Sequence, residues 1–439
     1  MSSPASLTGT SANEIMKHAV WLLSLSLCLS AAQERIASQS KEHWVTTWAT
    51  AQSLAPVAPI GGRPPRAEPR PAPPSPIGVI PETFKNQTLR MIVRTSIAGR
   101  RVRVQLSNAL GNPAVTIGGA HIALDQKGSA ISPASDRTLT FGGRASFSIP
   151  PGALVVSDPV ELDVPKLADL AVSLYLPDDT GRPTVHPLGL HTTYIAEGDA
   201  TRDAALKPAD TTTAYFWLSS VDVLAPAGAA AIVAFGDSIT DGFATTINKD
   251  EAWPALLAKR FAFANPSAML GVVNLGISGN RVLRDGAGAN ALARFDRDVL
   301  SRAGVRWMTL LEGINDITFS ALPGMQPTEA VTAEDLIWGY RQILGRAHRH
   351  GIQVAGATLM PVEGVATYTE KGEAIRQAVN RWIRTGGEFD AVIDFDALVR
   401  DPANPKRLRP EFDSGDHVHP NDAGNEAMAD AVDLSVFQK

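Results

Sequence analysis

Ala229-Ala230-Ala231-Ile232-Val233-Ala234-Phe235-Gly236-Asp237-Ser238-Ile239-Thr240 is the stretch on which the fold of this chain turns. An unbroken apolar run that ends at a glycine reads as a strand buried on both faces, the pattern of a parallel sheet. Further apolar runs at 272–275, 307–311, 354–359 and 391–395 repeat that signal downstream. Helical patterns fall between and after them. Residues 254–264 start with proline in the first turn, and 335–350 put Leu336, Ile337, Tyr340, Ile343, Leu344 and Ala347 on one face. Residues 373–385 repeat the pattern with Ile375, Val379, Trp382 and Ile383, and 422–434 form the last helix. Five short strands separated by helices predict an α/β layer, a parallel sheet covered on both faces.

Upstream the grammar changes. Pro226-Ala227-Gly228 marks a boundary, and before it strands and turns dominate. Val102, Val104 and Leu106 alternate with Arg101, Arg103 and Gln105, the period of a half-buried strand. Residues 44–48, 88–95, 170–176 and 214–218 read as further strands, with Gly142-Gly143, Pro150-Pro151-Gly152 and Asp178-Asp179-Thr180-Gly181 as turns. An all-β sandwich or jelly roll over 42–225 follows. The proline-crowded stretch 56–81 is expected to be an extended insertion within it. The second domain is expected at 229–437.

The 439 residues carry a net charge of −5, with 44% hydrophobic and 19% charged residues. That balance suits a globular protein with full cores and argues against nucleic-acid partners. Met16-Lys17-His18 precedes an apolar segment at 19–29 and the small residues Ser30-Ala31-Ala32. Residues 1–32 therefore read as an extension plus a cleavable export signal starting at Met16, too short to span a bilayer. A disordered or anchored N-terminus is the alternative. Export to the periplasm or the medium would leave a mature chain without cysteine, since Cys28 is the only one.

The chemistry-bearing residues sit after strands. Ligands bind beyond the carboxyl ends of strands in an open parallel sheet. Ser238 follows the first strand, Gly279 of Gly276-Ile277-Ser278-Gly279-Asn280 the second, and Asn315 of Gly313-Ile314-Asn315-Asp316 the third. Asp416-His417-Val418-His419-Pro420 precedes the last helix. A serine needs a base to remove its proton, and the base needs a carboxylate to fix its tautomer. Other readings of the single residues stay open. Ser238 could cap a helix, Gly279 could be only a tight turn, and Asn315-Asp316 could be a capping pair. His417 and His419, with Asp413 and Asp416 nearby, could be a metal pair, although no His-Glu-x-x-His helix accompanies them. The preferred reading has no metal and no cofactor. Trp44, Trp48, Tyr194 and Trp217 read as sandwich core before sugar-stacking surface. His186 and His191 have no evident place in the site.

Taken together, Gly236-Asp237-Ser238-Ile239, Ile277-Ser278-Gly279-Asn280, Gly313-Ile314-Asn315-Asp316 and Asp416-His417-Val418-His419 resemble, in order, the blocks of the SGNH or GDSL-type hydrolase superfamily, with Ile239 where leucine is more usual. The likeness covers under half the chain. It implies a flavodoxin-like parallel sheet, with Ser238 as nucleophile, His419 as base and Asp416 as its orienting carboxylate. It also implies an oxyanion hole made by Ser238 N–H, Gly279 N–H and the Asn315 amide. Asp237, Gly313 and Asp316 would support the loops. The β domain is similar to N-terminal domains of some extracellular members that act on plant polysaccharides. The expected function is an exported serine esterase for small-molecule or polysaccharide esters, with short acyl groups on carbohydrate favoured. A broad aryl- or lipid-esterase, or a binding protein with a vestigial hydrolase domain, is the alternative. Stable membrane insertion is not expected, and oligomeric state is not legible.

Overall fold

The computed structural model describes residues 42–54, 79–264, 269–322 and 330–438. The export signal expected within 1–32, Cys28 and nearly all of the proline-rich insertion lie outside the described residues. Two units emerge, Met1–His43 and Trp44–Lys439, and only the second is described at length.

Within the second unit the expected α/β layer is present. Five parallel strands run in the order Leu270–Gly276, Ala230–Gly236, Val305–Leu311, Gln353–Ala357, Ala391–Ile393. In chain order this is 2-1-3-4-5, the flavodoxin-like arrangement, with its switch point beside the first strand. Every residue of Ala230–Gly236 is buried, as a strand flanked on both sides and covered on both faces must be. Helices Trp253–Ala264, Ala333–Arg349, Glu370–Thr385 and Asp422–Ala431 cover the sheet. Ala333–Arg349 begins with a capping box, Thr332 and Asp335 each satisfying the other's backbone N–H.

The all-β expectation also holds. One antiparallel sheet centres on Gly99–Ser107, flanked by Leu218–Pro226 and Leu154–Val156; the other runs through Thr193–Glu197, Gln87–Arg94, Asp169–Leu176 and Gly119–Lys127. Inward residues such as Val102, Val104, Leu106, Leu89, Met91, Val93, Leu170, Val172 and Leu174 share one core. Trp217 is part of it, as the core reading of the aromatics expected.

Several boundaries differ from the sequence reading, among them the helix read from 373, which begins at Glu370, and the strand read to 359, which ends at Ala357. The strand expected at 214–218 is broken, because Trp217 adopts φ 53° between Tyr215–Phe216 and Leu218–Pro226. A left-handed residue cannot continue a ladder. The run at 391–395 is strand only as far as Ile393, since Asp394 caps the helix Phe395–Val399 by accepting from Ala397 N–H. The last helix stops at Ala431 and resumes as a 3₁₀ turn, Leu434–Gln438.

Polar bonds join the sandwich to the parallel sheet. Thr46 N–H donates to Ala303 C=O at 2.9 Å, and Ala303 N–H returns a bond to Thr46 Oγ1 at 2.9 Å. Arg302 donates to Gln105 Oε1 at 3.0 Å, and His191 meets Asp250 at 2.8 Å. Among the described residues no helix is long and apolar enough to cross a membrane.

Leu174 is fully buried at the centre of the sandwich core. Leu174→Ala should therefore cost about 2–5 kcal/mol, lost apolar transfer plus the cavity left behind. The expected result is one shifted denaturant midpoint, common to tryptophan fluorescence and far-ultraviolet circular dichroism. Separate midpoints for the two probes would mean that the two layers unfold independently.

Candidate active site

Three loops leave adjacent strands at the same edge of the sheet. Gly236 pairs with Gly276 on one side and Leu311 on the other, so the segments that follow all three emerge level. Gly236 itself has no room for a side chain, because a Cβ would lie 2.3 Å from Leu311 O. Beyond it Asp237 is the helix N-cap, accepting from Ile239 N–H at 3.0 Å. Capping by Asp237 makes Ser238 the first helical residue and leaves its hydroxyl free for another partner. That partner is His419, whose Nε2 lies 2.8 Å from Ser238 Oγ.

On the far ring nitrogen, His419 Nδ1 is 2.6 Å from Asp416 Oδ2. The other carboxylate oxygen accepts Val418 N–H at 3.0 Å and His419 N–H at 2.9 Å. Burial works to raise the Asp416 pKa, but the hydrogen bond and charge of His419 and these two amides overcome it and hold the carboxyl well below its ordinary value. Asp416 is thus an acceptor on the side that meets Nδ1, which directs the Nδ1 proton to Asp416 and leaves Nε2 facing the serine.

The second and third loops meet through Asn315, whose Nδ2 donates to Asn280 C=O at 2.9 Å. One N–H of that amide remains for another acceptor. Gly279 stands at φ 79°, a conformation that favours glycine, so its turn reading is correct and leaves its N–H available. Asp316 accepts Val282 N–H at 2.7 Å and Leu283 N–H at 3.1 Å, tying the third loop to the second. Gly313, at φ 121°, sits where a Cβ would press on the Tyr340 hydroxyl, which donates to Glu312 C=O. His417 turns away from His419, with Nδ1 2.6 Å from Asp413. Among the described residues no group of three or more His, Cys, Asp or Glu side chains is placed to hold a metal ion.

Four contributors carry no sequence signal. Phe243 packs its ring 4.3 Å from that of His419. Arg294, fully buried, donates to Gly236 C=O, Leu275 C=O and Asn280 Oδ1, and so joins the ends of the first two strands. Asp241 accepts both Ser278 N–H and the Ser278 hydroxyl, at 2.8 and 2.6 Å. His186 of the sandwich, set aside on sequence grounds, reaches Asp241 at 3.0 Å. None of the four lies in a motif, and only folding brings them close.

Residues 234–427 match the model of the GDSL-like lipase/acylhydrolase family. That segment is similar to GDSL-like lipase/acylhydrolase domains. No curated protein matches the chain. Among solved structures, a lipolytic protein of the G-D-S-L family from Desulfitobacterium hafniense DCB-2 is 20% identical over 48% of this chain and 99% of its own, with a TM-score of 0.35. A variant of an acetyl xylan esterase from Geobacillus stearothermophilus is 23% identical over 46% of this chain and 93% of its own, with a TM-score of 0.37. The aryl esterase of M. smegmatis is 15% identical over 46% and 96%, with a TM-score of 0.36.

Beneath the loop that carries Ser238, the α/β layer buries several carboxyls. Burial pushes Asp237 up to about 7 from an ordinary 3.8, and Asp316 up to about 6. Burial likewise raises Glu312 well above its ordinary value. For Asp237 the sign is definite. Below 3.8 folded and unfolded chains both hold the proton. As pH rises toward 7 the unfolded chain releases it first, so stability falls across that window and levels once the folded carboxyl ionises. Asp237→Asn keeps the capping oxygen and has no proton to lose. The slope of Tm between about pH 4 and 7 should therefore be shallower in this variant than in the wild type. An unchanged slope would return Asp237 to the ordinary carboxyl range.

Proposed function

We propose that this protein is a serine esterase that hydrolyses carboxylic esters through an acyl-enzyme. The observation that carries the reading is the unbroken chain from Ser238 Oγ to His419 Nε2 at 2.8 Å and from His419 Nδ1 to Asp416 at 2.6 Å. Ser238 Oγ attacks the ester carbonyl carbon while its proton passes to His419 Nε2. The charge that develops on the carbonyl oxygen is met by Ser238 N–H, Gly279 N–H and the remaining Asn315 N–H. As the tetrahedral intermediate collapses, the alcohol leaves with the proton from His419. Water then attacks the acyl-enzyme, with His419 again taking the proton; the acyl–Oγ bond breaks as His419 returns that proton to Ser238, and the acid departs. Asp416 stabilises the imidazolium formed in each half-reaction.

The substrate reading is a short acyl group, such as acetyl, on a carbohydrate outside the cell. The export pattern near the N-terminus and the appended sandwich support it. A second support is an open groove of about 540 Å³ lined by Arg281, Leu283, Asn290, Asp316, Asp335 and Trp338. Trp338 is 55% exposed there, an apolar ring beside polar side chains, which is the composition that binds sugars. Arg281 and Asp316 adjoin the two loops that carry Gly279 and Asn315.

Turnover of p-nitrophenyl acetate should fall to background in Ser238→Ala; equal rates would retire the esterase reading. Asn315→Ala should lower kcat by about two to three powers of ten while remaining folded, the usual effect of losing one oxyanion donor. For the glycan reading, Trp338→Ala should raise KM for an acetylated xylo-oligosaccharide about tenfold, since ring stacking of this kind is worth roughly 1 kcal/mol or more. It should leave p-nitrophenyl acetate kinetics unchanged. Preference for aryl or long-chain esters in a substrate panel would favour a broad aryl- or lipid-esterase instead.

A further inference from the structure

We infer that the sandwich layer takes part in the active site through His186, a buried imidazolium that fixes Asp241 and, through it, the Ser278–Gly279 turn. The inference rests on the esterase reading above and adds a positioning residue to it. His186 ends the strand Thr184–His186, and its side chain is 5% exposed. Its Nδ1 lies 2.7 Å from Ala51 C=O. Its Nε2 lies 3.0 Å from Leu188 C=O and 3.0 Å from Asp241 Oδ1. All three partners are acceptors. A neutral imidazole has one donor nitrogen and one lone pair, so either tautomer would point a lone pair at a carbonyl or carboxylate. Only the cation donates from both sides.

The charges around it are consistent with that assignment. A cavity of about 110 Å³ between the sandwich and the α/β layer is lined by His186, Asp241, Arg94, His191 and Asp250. Arg94 is paired with Asp169 and Asp250, and His191 with Asp250. These four groups satisfy one another, which leaves Asp241 as the counter-charge of His186. Burial lowers the His186 pKa, but the Asp241 charge and the three hydrogen bonds outweigh it and raise the value overall.

Asp241 is the pivot. It closes the helical turn Ser238–Asp241, so it is rigidly linked to the nucleophile. Its second oxygen holds Ser278 by both the backbone N–H and the hydroxyl. Gly279, the proposed oxyanion donor, is the next residue. A neutral residue at 186 would leave the Asp241 carboxylate buried without its counter-charge, and the Ser278 clamp would loosen. His186 touches no reacting atom; it acts on the geometry of the oxyanion site.

The test combines nuclear magnetic resonance with steady-state kinetics on the full chain. In the wild type both ring nitrogens of His186 should carry protons at pH 7, and a single protonated nitrogen would overturn the charge assignment. His186→Gln should stay folded by circular dichroism and move the Ser278 and Gly279 amide resonances. Its kcat for p-nitrophenyl acetate should fall about ten- to a hundredfold with KM within about twofold, since a displaced donor loses part of what a deleted one does. A folded His186→Gln protein with wild-type kcat and unmoved amide resonances would overturn the inference. If His186→Gln does not fold, Asp241→Asn reads the same coupling: His186 should become neutral and kcat should fall. Asp241→Asn with a doubly protonated His186 and full kcat would overturn it too. Wild-type turnover no faster than that of Ser238→Ala would instead retire the esterase reading, while the His186 protonation and the amide shifts would still decide the coupling.

Discussion

Gly236 is held between two parallel neighbours, opposite Gly276 and opposite Leu311, and the rest of the site depends on that register. A parallel ladder lets adjacent strands end level, so the residues just past each end share one rim. The fit at the end of the first strand is close enough that a single methyl group at residue 236 would strike the neighbouring backbone. Arg294 reinforces the same place from below, donating to the carbonyls of Gly236 and Leu275. Strand ends fixed in this way fix the loops, and the loops carry Ser238, Gly279 and Asn315.

The site is closed from two further directions. From the C-terminal side, the segment Asp416–His419 is brought in ahead of the helix Asp422–Ala431. Asp422 accepts from Thr246 N–H at 2.9 Å, which ties that helix to the chain just past Ser238. From the N-terminal side, the sandwich packs against the sheet and presents His186 to Asp241. The sandwich is thus a wall of the layer that carries Ser238. Its polar bonds to residues 302, 303 and 250 make the contact specific, because each buried donor there must find its acceptor on the other layer.

The pattern of burial around Ser238 has an energetic cost. Asp237 and Glu312 are buried close to the Arg294 guanidinium and Asp316 close to that of Arg281, and burial raises all three pKa values. Asp237 Oδ2 and Glu312 Oε1 have no hydrogen-bond partner among the described residues. Carboxyls so placed are poorly solvated when ionised, and stability elsewhere in the cores must offset them. Asp237 and Asp316 nevertheless perform local work, one capping the helical turn that starts at Ser238 and the other fastening two loops together.

What the sequence alone determined is what depends on local pattern. The apolar run before Gly236 could only be a buried strand, and the alternation at Arg101–Leu106 only a half-buried one, because side-chain period is set by backbone geometry. Helix starts were legible for the same reason, and the four motif segments were legible because glycine, serine, asparagine and histidine cluster there after strands. Trp217 escaped this reading, since its left-handed backbone is imposed by packing and not by its own preference. So did the ends of the short strand at 391–393 and the last helix, where caps and neighbouring layers decide. The tertiary structure alone decided that His186, some fifty residues before Asp241 and in another layer, would face it, that Phe243 would lie on His419, and that Arg294 would join two strand ends. Sequence period specifies which face a residue shows; it carries no record of what that face will meet, because long-range contacts are chosen by the packing of whole layers.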